Sequence, residues 1–325
     1  MISQPFLRLV RAGLGVCAAV AAGGCVGHAP LADEYDGPEA LPDALADRFA
    51  YESAWLEPER DALRERREFA VHEIALPPDA AAPNGSDNII FEYFDVEGNE
   101  ATPVVVLLPI VNGNLLVSRY FARYFASRGW AAVVVDRPGD PLDGALEDPE
   151  QVIRASIRDY RRVLDWVGRN PELETIGLFG VSFGGMAALM LAALDERIDA
   201  VVAAMAGGDI PYMLMNTSYR SVSRRVHKMM RETGLSRDLL EARLDDLIVS
   251  DPLVFAPYVD AEEVMLVMTR TDMIVPFESQ QALRRGLGQP ETLYLPTGHR
   301  TSVFYFPLLR SSAYDFFERQ FSMLR

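Results

Sequence analysis

Lysine is nearly missing from this chain. Of 31 basic residues among 325, Lys228 is the one lysine, a bias of coding rather than of chemistry. Cysteine stops early: Cys17 and Cys25 are the two present, so the body of the chain holds no internal disulfide and no cysteine metal cluster. Basic charge is outweighed by acid. With 47 acidic residues the formal net charge is −16, which argues against nucleic acid as a general partner. No H-E-x-x-H, C-x-x-C or Walker pattern occurs, and the elbow glycines described below are not spaced G-x-G-x-x-G. Neither a metal nor a nucleotide cofactor is therefore expected. Internal repeats are also absent. What is present is apolar: 49% of residues are hydrophobic, enough for a sizeable core in one large domain or two modest ones.

The N-terminus reads MISQPFLRLVRAGLGVCAAVAAGGCVGHAP. Arg8 and Arg11 flank a short Ala-rich run that ends in small residues. This is a secretory signal pattern, too short for a membrane span. The stretch AAGGC is similar to a bacterial lipobox, in which the cysteine is lipidated and becomes the mature N-terminus. Ala22 departs from the leucine usual there. The expectation is a signal peptide over 1–24, lipidation at Cys25, and an exported, envelope-located protein. The alternative is plain cleavage after Ala22 or Ala29. Residues 25–52 then read as a Pro- and acid-rich tether or arm, and 53–325 as the main domain.

Within that domain, 53–68 reads as a short charged helix. The stretches 69–76 and 89–96 alternate apolar and polar, as half-exposed antiparallel strands do. Residues 103–108, 130–136, 175–181, 198–205 and 264–269 are continuously apolar, or nearly so, as strands covered on both faces are. A final strand is expected at 291–295. Helical spacing fills 115–129, 150–168, 183–194, 278–287 and 304–323. The pattern predicts an α/β fold: a doubly wound, mostly parallel sheet of eight strands with an antiparallel start. Residues 208–258 break the rhythm and read as a helical cap inserted after the sixth strand.

The stretch TIGLFGVSFGGMAALMLAAL, residues 175–194, sets Ser182 at the corner between a strand and a helix. A nucleophilic serine needs its Oγ lifted clear of the sheet, and a strained turn between small residues does this: G-x-S-x-G, here Gly180 and Gly184. The bland alternative is a glycine-eased packing turn. A serine nucleophile also needs a base and an orienting acid. Of four histidines, His28 lies in the arm, His72 in an early strand and His227 in the cap. His299 follows the last strand in LPTGHRTS, a short loop. Asp272 follows a buried strand in TRTDMIVP and is the favoured acid; Asp209 and Asp251 are the alternatives. Ser182, Asp272 and His299 each lie at a carboxyl end of a strand, where sites in such sheets gather.

On GVSFGG, TRTDMIVP, TGHRTS and the strand order, residues 69–323 resemble an α/β-hydrolase, with the carboxylesterase, dienelactone hydrolase and serine-peptidase branches all similar. The resemblance implies Ser182 as nucleophile, His299 as general base and then acid, and Asp272 as holder of the imidazole tautomer. It also implies an oxyanion hole of two backbone N–H groups. Phe183 supplies one. The other comes from PIVNG, which departs from the His-Gly common in the family; Val111 is preferred, with Ile110 in reserve. The implied activity is hydrolysis of a small carboxylic ester through an acyl-enzyme. A peptidase or amidase with the same residues is the second reading, and an idle hydrolase fold that binds a ligand in the envelope is the third.

Two further features stand out. Arg220, Arg224, Arg225, Lys228 and Arg231 crowd one cap helix, either as a solvated face paired with local acids or as an attractor of an anionic substrate or lipid headgroups. Met205, Met213, Met215, Met229 and Met230 gather around the cap, as an adaptable acyl pocket or as ordinary packing.

Overall fold

The computed structural model describes residues 25–51, 57–77, 88–96, 101–111, 113–136 and 148–324. The expected signal peptide, 1–24, lies outside them. The described strands are β1 (Gly27–Ala29), β2 (Glu59–Glu65), β3 (Ala70–Leu76), β4 (Ile89–Asp95), β5 (Thr102–Leu108), β6 (Ala131–Val135), β7 (Leu173–Val181), β8 (Ala200–Ala204), β9 (Val264–Thr269) and β10 (Glu291–Leu295). They form one sheet in the order β1-β10-β9-β8-β7-β5-β6-β4-β3-β2. The six strands β5 to β10 are parallel, and the margins are antiparallel on both sides. The eight expected strands are β3 to β10; β1 and β2 are additional.

The helices are α1 (Asp43–Ala46), α2 (Leu116–Ala126), α3 (Asp148–Arg169), α4 (Phe183–Leu194), α5 (Ile210–Asn216), α6 (Arg220–Thr233), α7 (Arg237–Leu247), α8 (Pro252–Phe255), α9 (Phe277–Gly286) and α10 (Phe306–Met323). Strand side chains alternate between faces, so each central strand feeds two cores. On β5, Val104, Val106 and Leu108 join α3, α4 and the cap helices in one layer. Val105 and Leu107 join Phe121 and Phe125 of α2 and Phe316, Phe317 and Phe321 of α10 in the other. Apolar runs without alternation are the sequence consequence of burial on both faces.

Two expectations are corrected. Residues 59–65 form a strand, not part of a helix. β2 pairs along the open edge of β3, with a register shift between Ala62 and Arg64, and all seven of its residues are exposed. Backbone pairing outweighs helix propensity there, and the dense charge is the usual protection of a sheet edge. The arm is also docked rather than loose. β1 pairs with β10, the Tyr35 hydroxyl accepts from Ala261 N–H at 2.9 Å, and the Glu39 N–H donates to Pro257 O at 2.8 Å. Phe49, fully buried, meets Phe255 edge-on at 5.4 Å.

The cap interval holds α5, α6, α7 and α8. Leu240 and Leu244 of α7 and Val222, Val226 and Met229 of α6 turn into the first core. α6 ends at Gly234, whose φ of +71° is the left-handed closure that glycine tolerates.

Candidate active site

The turn after β7 is as tight as its glycines imply. Ser182 has φ 56° and ψ −119°, a region that costs a non-glycine residue about 1–3 kcal/mol. Its N–H still pairs sideways with Ala204 O of β8 at 2.8 Å, while its C=O already accepts from Met186 N–H at 3.0 Å. One residue thus ends the strand and starts the helix. A Cβ on Gly180 would collide with the backbone of Gly184, and one on Gly184 would lie 2.6 Å from Leu108 O. The missing side chains let α4 start directly against the end of β5.

Asp272 and His299 meet. His299 Nδ1 lies 2.8 Å from Asp272 Oδ2, and the Asp272 carboxylate is fully buried. The same Oδ2 accepts from the Thr269 hydroxyl at 2.7 Å; Oδ1 accepts from the Ile274 and Val275 N–H groups at 2.8 and 3.0 Å. Four donors converge on two oxygens. With three other donors already on it, the carboxyl takes its fourth from the imidazole Nδ1–H, which leaves Nε2 as the nitrogen free to accept a proton. Both residues follow parallel strands on the Ser182 side of the sheet, so the three occupy one edge. Among the described residues no hydrogen bond joins Ser182 to His299; such contacts are often long in unliganded sites.

The competing candidates have other work. Asp209 caps α5, accepting from Tyr212 N–H at 3.0 Å. Asp251 accepts from the N–H groups of Asp209, Ile210 and Leu253, and burial pushes its carboxyl up despite those donors. His28 sits on β1 at 3.2 Å from Glu291. His72 sits on β3, 3.5 Å from Asp95, with burial and then Arg60 pulling its imidazole down. His227 Nδ1 meets Ser223 O within α6 at 2.6 Å. Met205 is not a cap residue: it follows β8, buried in the second core, at φ +53°. Met213, Met215 and Met229 are buried between cap and core.

The expected oxyanion loop is a turn. Gly113 N–H donates to Ile110 O at 2.9 Å, with Gly113 at φ +69°. Asn112 lies outside the described residues. Ile110 packs toward the second core and Val111 toward the first. Because Gly184 abuts Leu108 O and Pro109 O, the segment bearing Val111 and the first turn of α4, with Phe183, approach each other. A helix N-terminus there favours developing negative charge.

Supporting residues escaped the sequence reading. Gln280 on α9 accepts from Thr269 N–H at 3.0 Å and donates to Val275 O at 2.9 Å, bracing both ends of the Asp272 turn. Ser218 donates twice to Met273 O, through N–H at 2.7 Å and through its hydroxyl at 2.8 Å. The Arg300 guanidinium stacks 5.1 Å above the Tyr219 ring. The cap is thereby tied to the loops of Asp272 and His299. No sequence motif marks these polar contacts, although Thr269 at the last position of β9 is a weak cue. Among the described residues no three His, Cys, Asp or Glu side chains converge as metal ligands would.

Comparison with known proteins agrees with this architecture. The profile of the "Alpha/beta hydrolase family" matches residues 105–314. An uncharacterised protein of Mycobacterium tuberculosis (strain CDC 1551 / Oshkosh) is 26% identical over 161 residues, covering 49% of this chain; that match spans 36% of the relative's length. Among solved structures, the acetyl xylan esterase from Paenibacillus sp. R4 superposes with a TM-score of 0.67 at 17% identity, covering 85% of this chain and 91% of its own. The acylaminoacyl peptidase of Pyrococcus horikoshii gives 0.57 at 13% identity, covering 78% and 42%. Identities this low speak for the fold.

Proposed function

Because the chain belongs to the alpha/beta hydrolase family, we propose that it is a serine hydrolase that cleaves small carboxylic esters through an acyl-enzyme. One observation carries the reading: a strained serine elbow shares a sheet edge with a histidine whose Nδ1 meets a buried, four-fold hydrogen-bonded carboxylate. In the proposed reaction Ser182 Oγ attacks the ester carbonyl as its proton passes to His299 Nε2. The oxyanion is received by the N–H groups of Phe183 and Val111. The C–O bond to the alcohol then breaks, and the alcohol leaves with the proton from His299. Water, deprotonated by the same nitrogen, attacks the acyl-enzyme and releases the acid. Asp272 keeps the imidazole in one tautomer throughout.

The name of the acetyl xylan esterase neighbour favours a short acyl group, and that of the acylaminoacyl peptidase neighbour keeps an amide substrate as the second reading. Labelling by a fluorophosphonate probe, lost in Ser182→Ala, tests the nucleophile. A folded wild type that stays unlabelled and hydrolyses no p-nitrophenyl acetate would sink the proposal in favour of a ligand-binding protein. Faster turnover of a peptide anilide than of the matched ester would choose the amidase. The proposal also places the protein in the cell envelope with a lipid on Cys25, which is exposed. Incorporation of labelled palmitate, abolished by Cys25→Ser, checks this.

A further inference from the structure

We propose that the carboxyl edge of the sheet, with the outer face of α6, is a docking surface for an anionic lipid bilayer.

Apart from Arg225, the basic residues of α6 are sorted by the helix. At about 100° per residue, Arg220, Arg224, His227, Lys228 and Arg231 fall within an arc of roughly 100°. Val222, Val226 and Met229 point the opposite way and are buried. From Ile210 to Arg231 the chain contains no acidic residue, in a protein with 47 of them. The one acid at the end of the stripe, Glu232, lies 3.6 Å from Lys228. The stripe is therefore a concentrated positive field on an otherwise negative molecule.

Its position matters as much as its charge. α6 is pinned at its start to the active-site edge by the Ser218 bonds to Met273 and by Tyr219 under Arg300. On the same edge two large apolar side chains face water, Met273 at 67% and Phe304 at 54% exposure. Met273 directly follows Asp272 in sequence, and Phe304 lies in the short helical turn after His299. Basic residues beside exposed apolar ones are the signature of a surface that enters the headgroup layer, where charge attracts anionic lipid and apolar groups insert.

A third observation comes from strand register. β1 runs antiparallel to β10, with Ala29 opposite Thr292 and Gly27 opposite Tyr294. Reading back toward Cys25, the chain therefore travels toward the carboxyl end of β10 and leaves the sheet on the edge that bears His299. Val26, at that exit, is exposed. The N-terminal exit, the apolar pair and the start of the basic helix lie at one edge, and a flat anionic surface is the partner whose chemistry fits all three. The docking requires neither catalysis by Ser182 nor an acyl chain on Cys25.

The test is co-sedimentation of the full chain, carrying Cys25→Ser to exclude acylation, with vesicles of phosphatidylcholine alone or mixed with phosphatidylglycerol. The expected result is strong partition onto the mixed vesicles, weakened by salt, and weak partition onto the neutral ones. Arg220→Gln, Arg224→Gln, Lys228→Gln and Arg231→Gln together lower that partition, about five-fold per charge removed, while hydrolysis of a soluble ester persists. Met273→Gln with Phe304→Gln lowers the partition that survives high salt. Ser182→Ala binds like its parent, so a failed esterase assay and a failed docking assay are separate results. Equal partition onto neutral and anionic vesicles overturns the inference, as does a four-fold variant that binds like its parent. If that variant instead raises KM for an anionic soluble ester with vesicle partition unchanged, the stripe steers substrate and docking is refuted.

Discussion

Replacing Asp272 by Asn tests the candidate site most sharply, because the substitution changes few atoms and one proton inventory. Asp272 Oδ1 faces two backbone donors, Ile274 N–H and Val275 N–H. The asparagine carbonyl must take that position, since an NH₂ group there would meet two donors. The amide nitrogen then occupies the place of Oδ2, facing Thr269 and His299. The Thr269 hydroxyl can rotate and accept. His299 can keep its contact only by accepting at Nδ1, which moves the ring proton to Nε2. The nitrogen that should receive the Ser182 proton is then blocked. Loss of tautomer control in a Ser-His-Asp arrangement costs about 10⁴-fold in kcat, roughly 5.4 kcal/mol in barrier. Stability falls little, by about 1 kcal/mol, because the buried donors keep acceptors. Asp272→Ala differs: it orphans the Ile274, Val275 and Thr269 donors and costs about 3 kcal/mol or more. Steady-state hydrolysis of p-nitrophenyl acetate, paired with urea unfolding, separates the two. A kcat for Asp272→Asn within ten-fold of wild type would refute the assigned role of this carboxylate.

Other consequences are as direct. Gly184→Ala forces a methyl toward Leu108 O, 2.6 Å from its ideal position; the expected cost is about 1–3 kcal/mol in urea unfolding, with kcat reduced as the elbow shifts. Ser182→Gly relieves a positive φ of 56° and should be more stable than Ser182→Ala by about 1 kcal/mol; equal midpoints would argue against strain at the elbow. Glu263 has its carboxyl pushed up to about 7 by desolvation, then by Asp260, Asp199 and Glu262. Its raised folded value means that the native state binds more protons. Stability from this group is therefore full below about pH 4.5 and lost as pH rises through about 7. Glu263→Gln should flatten that part of the curve in urea titrations run across the window.

The central strands were legible in the sequence because burial on both faces leaves uninterrupted apolar runs, as in residues 103–108 and 264–269. The edges were not. Residues 59–65 carry charge at five of seven positions, without alternation, and owe their conformation to the unpaired edge of β3, a partner that local pattern does not reveal. The arm looked loose because Phe49 and Tyr35 find their contacts more than 200 residues away, at Phe255 and Ala261. At the candidate site the elbow announced itself through glycine spacing, a backbone demand. The acid was harder. Asp209, Asp251 and Asp272 all stand near element ends, and all three accept backbone N–H groups. What separates Asp272 is a 2.8 Å approach to His299, which depends on the adjacency of β9 and β10 and not on either local sequence.

The β1–β10 pairing bears on the order in which the molecule assembles. His28 and Glu291 meet across 263 positions, so β1 has no partner strand until a segment that many residues further along has been made. Loop closure over such a span is slow and depends on the rest of the sheet being built. The open margin of β10 stays without β1 until then, and the emerging chain cannot lock early into its finished form. For a protein proposed to be exported to the cell envelope, this long-range clasp acts as a delay: the sheet closes at this margin only when β1 and β10 are on the same side of the membrane.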